Sequence, residues 1–141
     1  MNEALMRNFF GLDQFEVNDA SGIITFSSSV EAPFRPHLSL RKEGTFIALS
    51  TSHGPIEAAM RPRLDDLRRV LVSLYAVEGL QTTRQVGTGE SYIALGLSTN
   101  GSLIIRPTLV ADATGHLCFN LMLSTEMRAV FYQWLEVEKP G

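Results

Sequence analysis

The chain has 141 residues, 45% of them hydrophobic, enough for one domain with a single sizeable core. Twelve basic residues against fifteen acidic ones give a formal charge of -3, and only Lys42 and Lys139 are lysines. That balance argues against a protein that tracks phosphates along a nucleic acid, since counterion release draws on a basic excess, although a local arginine stripe can act within an acidic chain.

The N-terminal stretch "MNEALMRNFFGLDQF" lacks the basic and apolar regions of a secretory signal, and no run approaches the roughly 20 apolar residues that span a bilayer. The lone cysteine, Cys118, can form no internal disulfide. The expectation is a soluble protein of the cytoplasm with no membrane partner. Asn100-Gly101-Ser102 fits the glycosylation pattern, but without a secretion signal it reads as a turn.

Along the chain, residues 2 to 10 are expected to form a short helix, with Leu5 and Phe9 four apart and Gly11 as its stop. "FEVNDASGIITFSSS" and "HLSLRKEGTFIALSTS" are extended runs broken at Ser21-Gly22 and Glu43-Gly44, where glycine supplies the positive φ of a tight turn, and each predicts a hairpin. "VEAPFRPH" carries two prolines and links them. "GPIEAAM" fits an extra helical turn or a loop. Leu64, Leu67, Leu71 and Leu74 then recur at helical spacing, with Pro62 in the first turn and Gly79 as the C-terminal cap.

The second half repeats the plan. Asn100-Gly101 and Thr114-Gly115 mark two further turns in an extended stretch that ends in "GHLCFNLML". Ser124 is the expected N-cap of a last helix, with Met127, Val130, Phe131, Trp134 and Leu135 on its apolar stripe. The fold class is α+β: one domain over residues 1–141, antiparallel meanders with covering helices, in the order short helix, four strands, helix, four strands, helix.

Alternate strand residues share a face. Leu117, Phe119, Leu121 and Leu123, with Ile93, Leu95, Leu97, Leu103 and Ile105, form an apolar face expected to be the core. The other face holds Tyr92, Ala94, Gly96 and Ser98, Ile104, Arg106, Thr108 and Val110, and His116, Cys118, Asn120 and Met122. Such a mixture of small, aromatic, cationic and aliphatic side chains suits a surface covered by a partner or a second subunit, or by the N-terminal strands in a sandwich. Tyr92, Ile104, Arg106 and His116 are the expected partner contacts.

His116 and Cys118 do not make a convincing reactive pair. Zinc needs about four ligands, whereas the chain offers one cysteine and His37, His53 and His116 without paired spacing. Two residues apart on a strand, His116 lies about 6 to 7 Å from Cys118, an indirect arrangement for a nucleophile and its base. Gly87-Thr88-Gly89 lacks the third glycine of a dinucleotide loop and leads into a strand. "GES" is not a nucleophile elbow, because Ile93 takes the last place. Arg61, Arg63, Arg68 and Arg69 cluster near a helix where Asp65 can pair with the last two, giving a solvated face or a site for an acidic partner. Phe131, Tyr132 and Trp134 belong to the core and edge of the last helix. No catalytic, metal or cofactor-binding residue is assigned.

The strand-then-helix order written twice, from Phe15 to Val137, resembles the Whirly and positive-cofactor-four type of single-stranded nucleic-acid-binding fold, without its lysine-rich and aromatic binding stretches. The opening "MNEALMRNFFGL" resembles that of the small acidic dimeric chaperones of the type III secretion class. "SYIALGLSTNGSLIIRPTLVADATGHLCFNLMLSTEMRAVFYQWL" resembles a cyanobacterial carboxysome assembly factor. These last two resemblances imply a non-enzymatic homodimer that captures a short segment of a partner protein, a carboxysome shell protein in the second case. The alternative is a single-stranded nucleic-acid-binding module using Arg61, Arg63, Arg68, Arg69 and Arg106.

Overall fold

A computed structural model describes residues 9–30 and 35–137. Most of the expected opening helix and part of the proline-bearing link lie outside the described residues. What is described is mixed α+β, with two helices and two largely antiparallel sheets.

The first sheet is a meander of β2 (Gln14–Asn18), β3 (Ile23–Ser27), β4 (His37–Glu43), β5 (Phe46–His53) and β6 (Ile56–Met60), each antiparallel to the next. The two expected hairpin glycines stand at the turns with positive φ, +75° at Gly22 and +64° at Gly44. "GPIEAAM" resolves as a third hairpin. Gly54, at φ +63°, turns the chain after His53, and Ile56 to Met60 return along β5.

Helix α1 (Leu64–Ser73) buries Leu64, Leu67 and Leu71, three of the four leucines of the expected stripe. Its ends differ from expectation. Pro62 precedes the helix in extended chain, where its carbonyl accepts from the Ile47 N–H and Phe46 still bridges Arg63. The C-terminal end comes at Ser73, not Gly79. Leu74 is extended, and the following residues are drawn to the second sheet, where Val77 N–H donates to the Leu97 carbonyl.

The second sheet runs β7 (Arg84–Gly87), β8 (Ser91–Leu97), β9 (Leu103–Asp112), and then a lane shared by β10 (Gly115–Cys118) and β11 (Leu121–Leu123). Its last member is β1 (Phe10–Leu12), which crosses from the N-terminus to pair in parallel with β11. The expected order of four strands, helix, four strands is therefore not adopted. Six strands precede α1, and five segments separate it from α2 (Thr125–Leu135).

One hydrophobic cluster collects Ile24, Phe26, Leu38 and Leu40 of the first sheet, Leu95, Leu103, Ile105 and Leu121 of the second, and the buried stripes of both helices. Phe26 meets Phe131 of α2 edge to face, with ring centroids 5.7 Å apart. The helices are tied together by Arg68 Nε donating to the Leu135 carbonyl at 2.7 Å. Among the described residues, no helix is long and apolar enough to cross a membrane.

Ser124 caps α2 as expected, accepting from the Met127 N–H at 3.2 Å. Ser124→Ala should therefore lower stability by about 1 kcal/mol. Phe131→Ala, which empties a fully buried site against Phe26, should lower it by about 3 to 5 kcal/mol. Urea unfolding of both variants beside the parent checks the two values and their order.

Candidate interaction site

Pairing register sorts the second sheet into its two faces. Tyr92, Thr108 and Cys118 form one row across β8, β9 and β10, and Gly96, Ile104 and Met122 form another across β8, β9 and β11. Ala94 and Arg106 stand between them, and Val110 opposes His116 toward the β9–β10 turn. The opposite face carries Ile93, Leu95, Leu97, Leu103 and Ile105, all buried in the core as expected.

The four expected contact residues share the mixed face but not its accessibility. His116 is exposed, and Tyr92 and Arg106 are half-buried. Ile104 has no exposed surface from which to touch a partner. The chain itself covers part of this face. A Cβ at Gly96 would come within 2.0 Å of the Gln81 carbonyl oxygen, so the segment after α1 passes directly over β8, and only glycine permits it. The N-terminal strands do not close over this face as a sandwich; their apolar side chains join the core. Arg106 is engaged as well. Its Nε donates to Asn120 Oδ1 at 2.9 Å, and its guanidinium lies 5.9 Å from the centre of the Phe9 ring.

The accessible part of the region is the β10 edge. Phe119 N–H donates to the Pro107 carbonyl, and Phe10 N–H donates to the Asn120 carbonyl. Main-chain groups alternate in direction along an antiparallel strand. His116 and Cys118, in phase with Asn120, therefore turn their N–H and C=O groups outward, into the lane that β1 occupies farther along. β1 pairs only with Leu121 to Leu123, and no described strand pairs with this side of β10. Among the described residues, the lane is half filled.

Beside the open half lies a cavity of about 140 Å³, lined by Phe10, His53, Ile56, Leu117, Phe119 and Leu121 among others. Leu117 sits on the core side of its strand but is 43% exposed, and Ile56 is 49% exposed. Phe10 and His53 form one wall, their ring centres 4.8 Å apart. His116 and Cys118 share a face two residues apart, and among the described residues no group of three or more His, Cys, Asp and Glu is placed to hold a metal ion.

The arginine run is divided. Arg68 turns toward α2, where it bonds the Leu135 carbonyl and lies 3.8 Å from Glu136, with Asp65 at 3.5 Å. Arg69 pairs with Asp66 at 2.9 Å rather than with Asp65. Arg61 bonds Glu43, and both Arg61 and Arg63 lie against the Phe46 ring. Sequence reasoning missed Glu43 and Phe46 as members of that group. The turn at Gly44 held the signal, because it sets Glu43 opposite Phe46.

The turn that presents β10 is held by Asp112, whose carboxylate accepts from the Thr114 hydroxyl and N–H at 2.6 and 2.7 Å. These bonds, the hydroxyl's first, hold the Asp112 carboxyl below its ordinary value of 3.8. A group with a depressed folded-state value stabilises above its unfolded value and loses that contribution as pH falls through the folded one. The turn should therefore hold above about pH 4 and loosen below it. Thr114→Val should move the Asp112 carboxyl back up toward 3.8, which a carboxyl-carbon NMR titration of both proteins measures.

No protein-family model, no curated protein and no solved structure matches the chain, so the functional reading rests on this geometry.

Proposed function

We propose that the chain is a non-enzymatic protein-binding module of assembly-chaperone type, which captures a short extended segment of a partner along the open edge of β10. The observation that carries this reading is the lane left half filled among the described residues. An added strand there meets the outward main-chain groups of His116 and Cys118, and every second side chain points toward the cavity beside Leu117. A volume near 140 Å³ suits one aliphatic side chain. His116 is then a rim contact, Tyr92 lies two strands inward, beyond β9, and Ile104 and Arg106 support the sheet from behind.

Magnitudes set the class of interaction. Burying one Leu or Ile contributes about 1.5 to 3 kcal/mol. A few main-chain bonds add about 1 kcal/mol each. Association costs at least about 4 kcal/mol, so one edge gives a weak, reversible hold, as suits a chaperone. In this reading the module works as a homodimer, which offers two edges, and the sequence resemblance supplies a carboxysome shell protein as the candidate partner.

The test is a tagged pull-down from native lysate, with the eluate divided between protein mass spectrometry and nuclease-sensitive staining. The expected result is a stoichiometric protein partner that Leu117→Glu reduces about tenfold by placing a charge in the apolar cavity. The thermal midpoint of that variant should stay close to the parent's, since Leu117 is already exposed. Capture unchanged by Leu117→Glu would refute the β10 site. Nuclease-sensitive material in place of protein would favour the single-stranded nucleic-acid alternative.

A further inference from the structure

The side of the first sheet that faces away from the core carries a second surface. Leu38, Leu40, Ile47, Leu49 and Met60 point into the core, so their neighbours point outward. Register aligns Thr25, Ser39, Ser50 and Ala59 in one row across β3 to β6. Arg41, Ala48 and Arg61 make the next, followed by Glu43 and Phe46 with Arg63 bridged to Phe46. The face forms a groove of about 490 Å³, floored by small side chains and walled at one end by Arg41, Glu43 and Arg61.

The charges are segregated. Glu43 holds two guanidinium groups with its two oxygens, Arg41 at 3.2 Å and Arg61 at 3.1 Å. Arg61 and Arg63 also lie 5.4 and 5.8 Å from the centre of the Phe46 ring, which is 36% exposed. Three cations thus meet one carboxylate at this end, within a chain whose formal charge is -3. A guanidinium has five N–H donors in a fixed fork, so the group that bonds Glu43 retains donors for a second carboxylate. Farther along the same face stand Glu16, opposite Thr25, and Glu57, which accepts from the Ser50 hydroxyl at 3.0 Å.

That polarity decides among anionic occupants. A nucleic-acid strand carries charge at every step and would pass the two glutamates. A segment with its acidic residues at one end and small polar ones behind matches the face along its length. Low side chains at Ser39, Ser50 and Ala59 let a main chain approach closely, and the hydroxyls offer it donors and acceptors.

We propose that this groove binds a short acidic segment of a partner protein, its carboxylate taken by Arg41 and Arg61 beside Phe46 and its extended chain lying over Ser39, Ser50 and Ala59. The site is on a different sheet from the β10 edge and stands on its own observations.

The test is fluorescence anisotropy with a fluorescein-labelled peptide, Glu-Glu-Ser-Ala-Ser-Gly, beside its Gln-Gln counterpart and a labelled oligothymidine. The Glu-Glu peptide should bind saturably, and the Gln-Gln peptide about tenfold more weakly. Arg41→Gln with Arg61→Gln should weaken Glu-Glu peptide binding by a similar factor. Ala59→Tyr, which fills the groove away from the arginines, should also weaken it, while Arg69→Gln on α1 should leave it unchanged. The proposal is overturned by absent saturable binding, by equal binding of the two peptides, by indifference to the Arg41 and Arg61 pair or to Ala59→Tyr, or by tighter binding of the oligothymidine.

Discussion

The register of β9 is the constraint on which the second sheet depends. Its ten residues pair with β8 on one side and with both β10 and β11 on the other, so it sets which side chains reach the core along three neighbours. The register toward β10 continues unbroken into β11, Cys118 meeting Thr108 and Leu121 meeting Ile105. Between them stands Pro107. It accepts from the Phe119 N–H but has no N–H to return, and the ladder lapses at Phe119 and Asn120. The two-part lane follows from that missing donor. Among the described residues, β1 attaches to the farther part, and no strand pairs with the outer edge of the nearer part.

Local chemistry made much of this legible in the sequence. The turns at Gly22 and Gly44, the Ser124 cap and the odd-numbered apolar face of the last strands each follow from a few adjacent residues, and each is found, except that Leu117, expected in the core, is exposed. Misplaced features depend on distant partners. Nothing near Ser73 ends α1; the pull comes from Leu97, which engages Val77. Ile104 looks like a surface residue on its own strand, yet the chain leaves it no accessible surface. β1 could not be placed with the second sheet, because three residues, the middle one glycine, carry no mark of a parallel partner more than a hundred residues away.

In the proposed reading the pairing of His116 with Cys118 acts through the main chain rather than through side-chain chemistry. Their spacing fixes one face and one main-chain direction together, and the direction matters more for binding. Hydrogen-bonding groups turned outward from an edge recognise any extended chain, whatever side chains stand above them. In the proposed complex specificity falls to the cavity below, whose walls come from β1, β5, β6 and the β10–β11 lane. No contiguous stretch of sequence contains it.

β5 joins the two surfaces. It begins at Phe46, beside the arginines on the outer face, and ends at His53, in the wall of the cavity by β10. Eight strand residues at about 3.3 Å each separate the sites by roughly 25 Å along the strand. A partner chain passing from one to the other must cover at least that distance and turn the edge of the sheet, which takes on the order of ten extended residues. When both ends belong to one partner, the second contact forms at the effective concentration set by that span, and two weak holds combine into one stronger by about a hundredfold or more. With a shorter segment only one surface can be engaged, and the complex stays as weak as either site alone. In the proposed reading, the length of the captured segment therefore governs whether the module grips its partner or releases it.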